Sequence, residues 1–292
     1  MQKTQQPSIL LAGAGDIASL LGDALMAQGW QIFALRRNTA LLSPTLRSPS
    51  VTAISADLLQ PDSLTRLHQQ RFDAVVITLT PDDNSESGYR RSYLDATRNL
   101  LAALQQPPHL LLFVSSTSVY GQQHGEWVDE NSATDASAFN GRIMRETEQL
   151  VLNSGIAASC IRFGGIYGPG RTRLLREVQN GAHSPRDHQW SNRIHEQDAA
   201  NVLLHLLQLG QRGVKLAESY IAVDDAPAPL CAVKNWLAEQ LHVTHRWPEL
   251  EESAYGGRRC DNSLLKASGF GFTYADYCSG YPQLIAEYRN TL

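Results

Sequence analysis

The stretch ILLAGAGDIAS, residues 9 to 19, decides how this chain folds. Four apolar residues, Ile9 to Ala12, read as a short strand, and a helical pattern opens at about residue 16. Between them Gly13, Gly15 and Ala18 fall in the G-x-G-x-x-G/A spacing. The first glycine permits a tight turn, the second lets a pyrophosphate approach the backbone, and the small third residue lets helix pack on strand. A lone glycine triplet is a weak signal. Its position as the first strand-to-helix turn of a repeating chain makes it a dinucleotide-binding signature.

That repetition runs outward from the turn. Short apolar runs at 8–12, 31–35, 51–55, 73–79, 109–115 and 157–163 alternate with helical patterns at 16–28, 61–70, 86–106 and 137–154. A weaker helical pattern around 38–46 is disrupted by Pro44. Repeated β-α-β predicts an α/β fold, a doubly wound parallel Rossmann sheet covered on both faces. After residue 165 the rhythm changes to a Gly/Pro loop, GGIYGPGRTR, with helices expected at 172–180, 196–209, 229–241 and 262–268. A strand is expected at 219–223, and 182–193 reads as polar and irregular. The expected organisation is a dinucleotide-binding domain over 1–165 and a smaller α/β substrate-side domain over 166–292. Part of 194–224 is expected to pack back on the first.

Composition narrows the classes of partner. With a net charge of -4 there is no electrostatic reason to expect nucleic acid or an anionic membrane. The four cysteines are widely spaced, with no C-x-x-C pair, and read as reduced thiols of a cytoplasmic protein. The polar start MQKTQQPS leads into an apolar run too short for a signal peptide or a membrane span. His183, His188 and His195 form no regular ligand set, so no metal is expected.

Cofactor type is read at the end of the second strand, where the sequence is FALRRN. Arg36 and Arg37 stand there, with no acid to hold a ribose 2'-hydroxyl. Paired guanidinium groups suit a 2'-phosphate through bidentate charge-assisted hydrogen bonds, so NADP is expected over NAD; the bland alternative is two arginines on a solvated strand end. Asp57, just past the third strand, is placed either to reach an adenine amino group or to cap a turn.

The ordered motifs GAGDIA, SADL, VSSTSVYG, IRFGGIYGPGR and RIHEQDAANVLLHLL resemble the extended branch of the short-chain dehydrogenase/reductases, the NAD-dependent epimerase/dehydratase-like proteins. The resemblance covers nearly the whole chain, including GGRRCDNSLLKASGF. It implies cofactor contacts from Gly13, Gly15, Asp16, Ile17, Arg36 and Arg37, and further ones from Asp57, Leu58, Leu79, Thr80 and Ser115. It also implies that Ser116 polarises the substrate oxygen and that a Tyr-x-x-x-Lys pair on the next helix supplies the proton. That pair falls here on Asn140 and Met144, and the helical Asn of the family's proton relay falls on Tyr93. Asn has no usable pKa and Met has no proton to give. The departures resemble an atypical subgroup that keeps the cofactor site without the usual catalytic residues.

Ser116 and Tyr120 remain as catalytic candidates, the alternatives being a structural serine and a packing tyrosine. Arg171, with Arg258 or Arg259, is a candidate for an anionic substrate or simply a surface arginine. Three functions follow: an NADP-dependent oxidoreductase or epimerase-like enzyme with a non-standard proton donor, a silent NADP(H)-binding sensor or partner-binding module, or a vestigial fold. The expected ligand is a small-molecule substrate or effector. The resemblance points to a homodimer through helices matching 86–106 and 137–154, while the many charges on the latter leave the oligomeric state open.

Overall fold

The computed structural model describes residues 6–290; the first five residues of the polar N-terminal stretch lie outside them. The chain begins β1 (Ser8–Ala12), α1 (Asp16–Ala27), β2 (Gln31–Arg36), β3 (Val51–Ser55), α2 (Thr65–His68), β4 (Ala74–Ile77). One long helix follows as α3 (Glu86–Tyr89), a π-helical turn Arg90–Asp95, and α4 (Ala96–Ala103). Next come β5 (Leu110–Ser116), β6 (His124–Val128), α5 (Phe139–Leu152), β7 (Ala158–Phe163), β8 (Gly165–Tyr167), α6 (Arg173–Gln179), β9 (Gln189–Ser191), β10 (Arg193–His195) and α7 (Glu196–Gln211). The chain continues through β11 (Ser219–Ala222), β12 (Ala228–Pro229), α8 (Leu230–Leu241), β13 (Gly256–Cys260), α9 (Ser263–Ala267) and α10 (Tyr277–Arg289).

Seven strands form the main sheet in the order β11-β7-β5-β4-β1-β2-β3. β1 pairs in parallel with both β2 and β4, β2 with β3, and β4 with β5. Every residue of β1 and β4 is buried, as the continuous apolar runs require of central strands covered on both faces. Chain order reverses between β1 and β4, and the carboxyl ends of those strands open the crevice in which such sheets bind ligands. The 38–46 pattern breaks into two 3-10 turns, Thr39–Leu41 and Thr45–Arg47, on either side of Ser43 and Pro44. Pro44 has no N–H with which to continue a helical ladder.

The chain divides into two compact units, each threaded more than once. The first comprises Met1–Val119, Thr134–Arg162 and Ala200–Tyr220; the second comprises Tyr120–Ala133, Phe163–Ala199 and Ile221–Leu292. In the first unit α5 is fixed by charge on both sides. Outward, Arg142 pairs with Glu86 and Glu146 with Arg90. Inward, Glu148 is fully buried and meets Arg162 of β7. Gly141 lets the first turn of α5 approach the Ser118 carbonyl more closely than any residue with a β-carbon allows.

The second unit contains a small sheet, β12-β9-β13-β6, and an apolar core of α6, α8 and α10 around Trp247. Residues 182–193 are more ordered than their polarity implies. Pro185–His188 is a 3-10 turn with a capping box, and Asp187 is buried against the Lys234 ammonium, 2.6 Å away. α10 escaped the sequence reading because Gly280 and Pro282 interrupt its pattern. It forms because Asp276 caps it by accepting the Ser279 N–H, and because Tyr281, Leu284, Ile285 and Tyr288 bury one face.

Asp224 of this unit is 1% exposed, and its Oδ2 has no hydrogen-bond partner. Burial pushes its carboxyl up to about 7 from an ordinary 3.8, against the opposing pull of Arg193 and of the Ala226 N–H. The folded chain therefore holds a proton that the unfolded chain releases across this window. The resulting stabilisation is complete below about pH 4 and is lost as pH rises through 7. Asp224→Asn does not titrate. The melting temperature of this variant relative to wild type is expected to rise by several degrees between pH 4.5 and pH 8, for a differential on the order of 2–4 kcal/mol. A constant difference across that range would show that Asp224 is already ionised in the folded state.

Candidate functional site

A cavity of about 330 Å³ opens beside the Gly13 turn, within the first unit. Its floor is the turn itself. Gly13 sits at φ 90°, its N–H and that of Ala14 donate to the Leu35 carbonyl at 3.1 Å, and the Thr78 hydroxyl donates to the Gly13 carbonyl at 2.7 Å. A β-carbon on Gly13 would lie 2.7 Å from the Thr78 carbonyl oxygen, so only glycine fits. A β-carbon on Gly15 would meet nothing nearer than 3.9 Å and would project into open space. Gly15 is also the N-cap of α1 and gives the first turn no side-chain acceptor, and a helix start of this kind suits an anion. An uncapped helix start above an open glycine is the arrangement a pyrophosphate needs.

The cavity is further lined by Arg36, Arg37, Asp57 and Leu58, at and after the ends of β2 and β3, and by Leu79, Thr80, Asp82, Ser92 and Ala96, which follow β4. Arg36 Nη1 donates to the carbonyls of Ala14 (3.2 Å) and Leu41 (2.6 Å), tying the glycine turn to the segment after β2. Arg37 makes a bidentate pair with Asp82. Asp57 lines the cavity and closes a turn at once, its Oδ1 accepting the Leu59 N–H at 2.9 Å.

The other residues read from the sequence stand elsewhere. Asp16 is exposed, and Ile17 packs in the core; neither lines the cavity. Ser115 is buried, and its hydroxyl donates to Glu148 Oε1 at 2.7 Å. Ser116 ends β5 half-buried; its Oγ accepts the Ser118 N–H at 3.1 Å, so its own proton remains available. Tyr120 is 1% exposed and its hydroxyl donates to the Asp129 carbonyl at 2.8 Å, which commits the one proton a phenol has. Arg171 is held by Glu196 at 3.1 Å, so the charge it would offer an anion is already matched. Arg258 donates to the Gln122 carbonyl, and Arg259 to the Gly125 carbonyl and to Glu252.

On α5, Asn140 is half-buried and Met144 is buried. Tyr93 lies in the π-turn, tilted against Tyr89, which in turn meets Phe139 edge-on. Burial raises the Tyr93 phenol, which keeps it protonated. Of the four lysines, Lys234 is bound to Asp187 and Lys266 to Asp225. Asp82 and Ser92 were missed by sequence reasoning, since neither sits in a motif and only the fold carries them to the cavity. Among the described residues no group of three or more His, Cys, Asp or Glu is arranged to hold a metal ion. No helix among them is long and apolar enough to cross a membrane.

A parallel sheet with this glycine turn, an uncapped helix start and a basic strand end defines a Rossmann protein that binds a nicotinamide dinucleotide. The chain belongs to the NAD(P)H-binding family, whose model matches residues 12–209. It is 30% identical to Protein YeeZ of Escherichia coli K12 over 219 residues, 70% of this chain and 74% of that one. It is 29% identical to the 3-diazoavenalumate denitrifying reductase of a Streptomyces species over 258 residues, 82% of this chain and 76% of that one. The solved structure of an NAD-dependent epimerase/dehydratase-type protein of Methylobacillus flagellatus superposes with a TM-score of 0.84 at 35% identity, covering 98% of this chain and all of that one. These matches agree with the resemblance carried by the glycine, VYG and IH motifs.

Proposed function

We propose that this protein is an NADP-dependent oxidoreductase that acts on a small molecule without a Tyr/Lys couple. The observation that carries the cofactor half of this reading is the pair Arg36 and Arg37 on the cavity wall at the end of β2, a strand end with no acid. The Streptomyces relative is a reductase, which supports net reduction of a substrate over epimerisation. A reduced nicotinamide in the cleft would supply a hydride. The Gly13 turn and the start of α1 would hold the dinucleotide, and Ser116 would offer its hydroxyl to the substrate oxygen or to a water that delivers the proton. The committed hydroxyl of Tyr120, with Asn140 and Met144 on α5, favours a second reading, a silent NADP(H) sensor.

Calorimetry on the wild type is expected to give a dissociation constant for NADPH about 10- to 100-fold below that for NADH, the worth of a charge-assisted pair to the 2'-phosphate. Arg37→Ala is expected to remove most of that gap by weakening NADPH alone. Arg36→Ala is expected to weaken both cofactors, because it also releases the Ala14 carbonyl of the glycine turn. Equal constants for the two cofactors in the wild type would reject the assignment. For turnover, absorbance-monitored NADPH oxidation with a panel of small carbonyl compounds separates the two readings: the enzyme consumes NADPH and loses rate on Ser116→Ala, whereas a sensor binds NADPH and consumes none.

A further inference from the structure

The acid that the end of β2 lacks reaches the cleft from another strand. Asp82 follows β4, and Arg37 follows β2; in the sheet these strands lie on either side of β1 and its glycine turn. The guanidinium and carboxylate nevertheless meet in two hydrogen bonds, Nη1 to Oδ2 at 2.8 Å and Nη2 to Oδ1, and both residues line the cavity. The pair therefore spans the cleft above β1. Asp82 is held there through its own N–H, which donates to Ser92 Oγ at 3.3 Å on the π-turn, while its neighbour Asp83 pairs with Arg91. Hydrogen bonding from Arg37 keeps the Asp82 carboxyl below its ordinary value, so it is an anion at neutral pH. Both side chains are about half exposed, 58% and 45%, so water and ions screen the pair and it can exchange partners.

We propose that Asp82 is a specificity-determining residue that competes with the cofactor for Arg37. In the empty chain it holds the guanidinium across the cleft. A ribose 2'-phosphate takes the guanidinium over, one anion replacing another with no proton or electron moved. A ribose with a free 2'-hydroxyl offers no such replacement, and the pair persists. Asp82 thus sets the margin by which the phosphorylated cofactor is preferred, and the inference rests on the reading that the cleft takes NADP(H).

The test is calorimetric titration of NADPH and of NADH into wild type, Asp82→Asn, Arg37→Ala and the double variant. Asp82→Asn is expected to tighten NADPH by about 3- to 10-fold, the worth of the exposed bidentate pair that the phosphate must otherwise displace, and to leave NADH within about 2-fold. In the Arg37→Ala background the same change is expected to gain little. Unchanged NADPH affinity in Asp82→Asn overturns the proposal, as does a gain of equal size without Arg37, which would mark simple charge repulsion. If Arg37→Ala weakens NADPH while Asp82→Asn does not tighten it, the competition falls and the NADP reading stands. If Arg37→Ala leaves NADPH binding unchanged, both fall. Asp82 is exposed, so thermal denaturation of Asp82→Asn is expected to match wild type and to exclude misfolding as the cause.

Discussion

Glu148→Ala is expected to destabilise the first unit by about 3–5 kcal/mol, the cost of stripping its partner from a buried charge. The Glu148 carboxylate is 0% exposed and accepts from Arg162 Nε and Nη2, each at 2.9 Å, from the Ser115 hydroxyl at 2.7 Å and from Arg145 at 3.3 Å. Removing it takes both of these bonds from the buried Arg162 guanidinium and frees the Ser115 hydroxyl next to Ser116. Thermal denaturation should show a fall of roughly 10 °C. Replacing the pair together, as Glu148→Leu with Arg162→Met, is expected to recover most of the loss, because two apolar side chains need no desolvation of charge. A single variant as stable as wild type would mean that water already reaches this carboxylate.

The two glycines of the turn are expected to fail in different ways when replaced by alanine. Gly13→Ala forces an L-residue to φ 90° and drives its β-carbon against the Thr78 carbonyl, so the empty protein should lose about 2–4 kcal/mol as well as cofactor binding. Gly15→Ala places its methyl in open space in the empty protein. Stability should change by less than about 1 kcal/mol, the scale of an N-cap substitution. NADPH affinity should nevertheless fall at least 10-fold, since the methyl occupies the approach of the pyrophosphate. Melting curves with and without NADPH separate the two outcomes. A Gly15→Ala protein that binds NADPH normally would show that the pyrophosphate does not lie along this turn.

Asp224→Asn and Arg37→Ala probe groups whose legibility in the sequence differed sharply. Arg37 was visible because it directly follows a strand whose end is located by counting from the glycine turn. Asp224 carries no local mark, and its shifted titration arises from residues that fold around it. Ser115 and Ser116 illustrate the same contrast within one strand. Alternation along β5 sends them to opposite faces, so one hydroxyl is spent on Glu148 while the other keeps its proton.

By itself the sequence determined the β1–α1 turn, the alternation that makes a parallel sheet, and the basic end of β2. Each is a local matter of glycine stereochemistry, side-chain period or residue count. Only the tertiary structure decided which polar groups are used up and which remain. Glu148 sits in a charged run of an amphipathic helix, yet it is buried because Arg162, 14 positions on, meets it from β7. Tyr120 looks like a cleft phenol, yet its hydroxyl belongs to the Asp129 carbonyl. The small sheet was invisible because β6 and β13, five residues each, pair with partners far along the chain, β13 with both β6 and the short strand β9. Asp82 reaches Arg37 from 45 positions away. A hydrogen-bonding group is committed by the partner that folding brings to it, and no period in the surrounding residues records which partner that is.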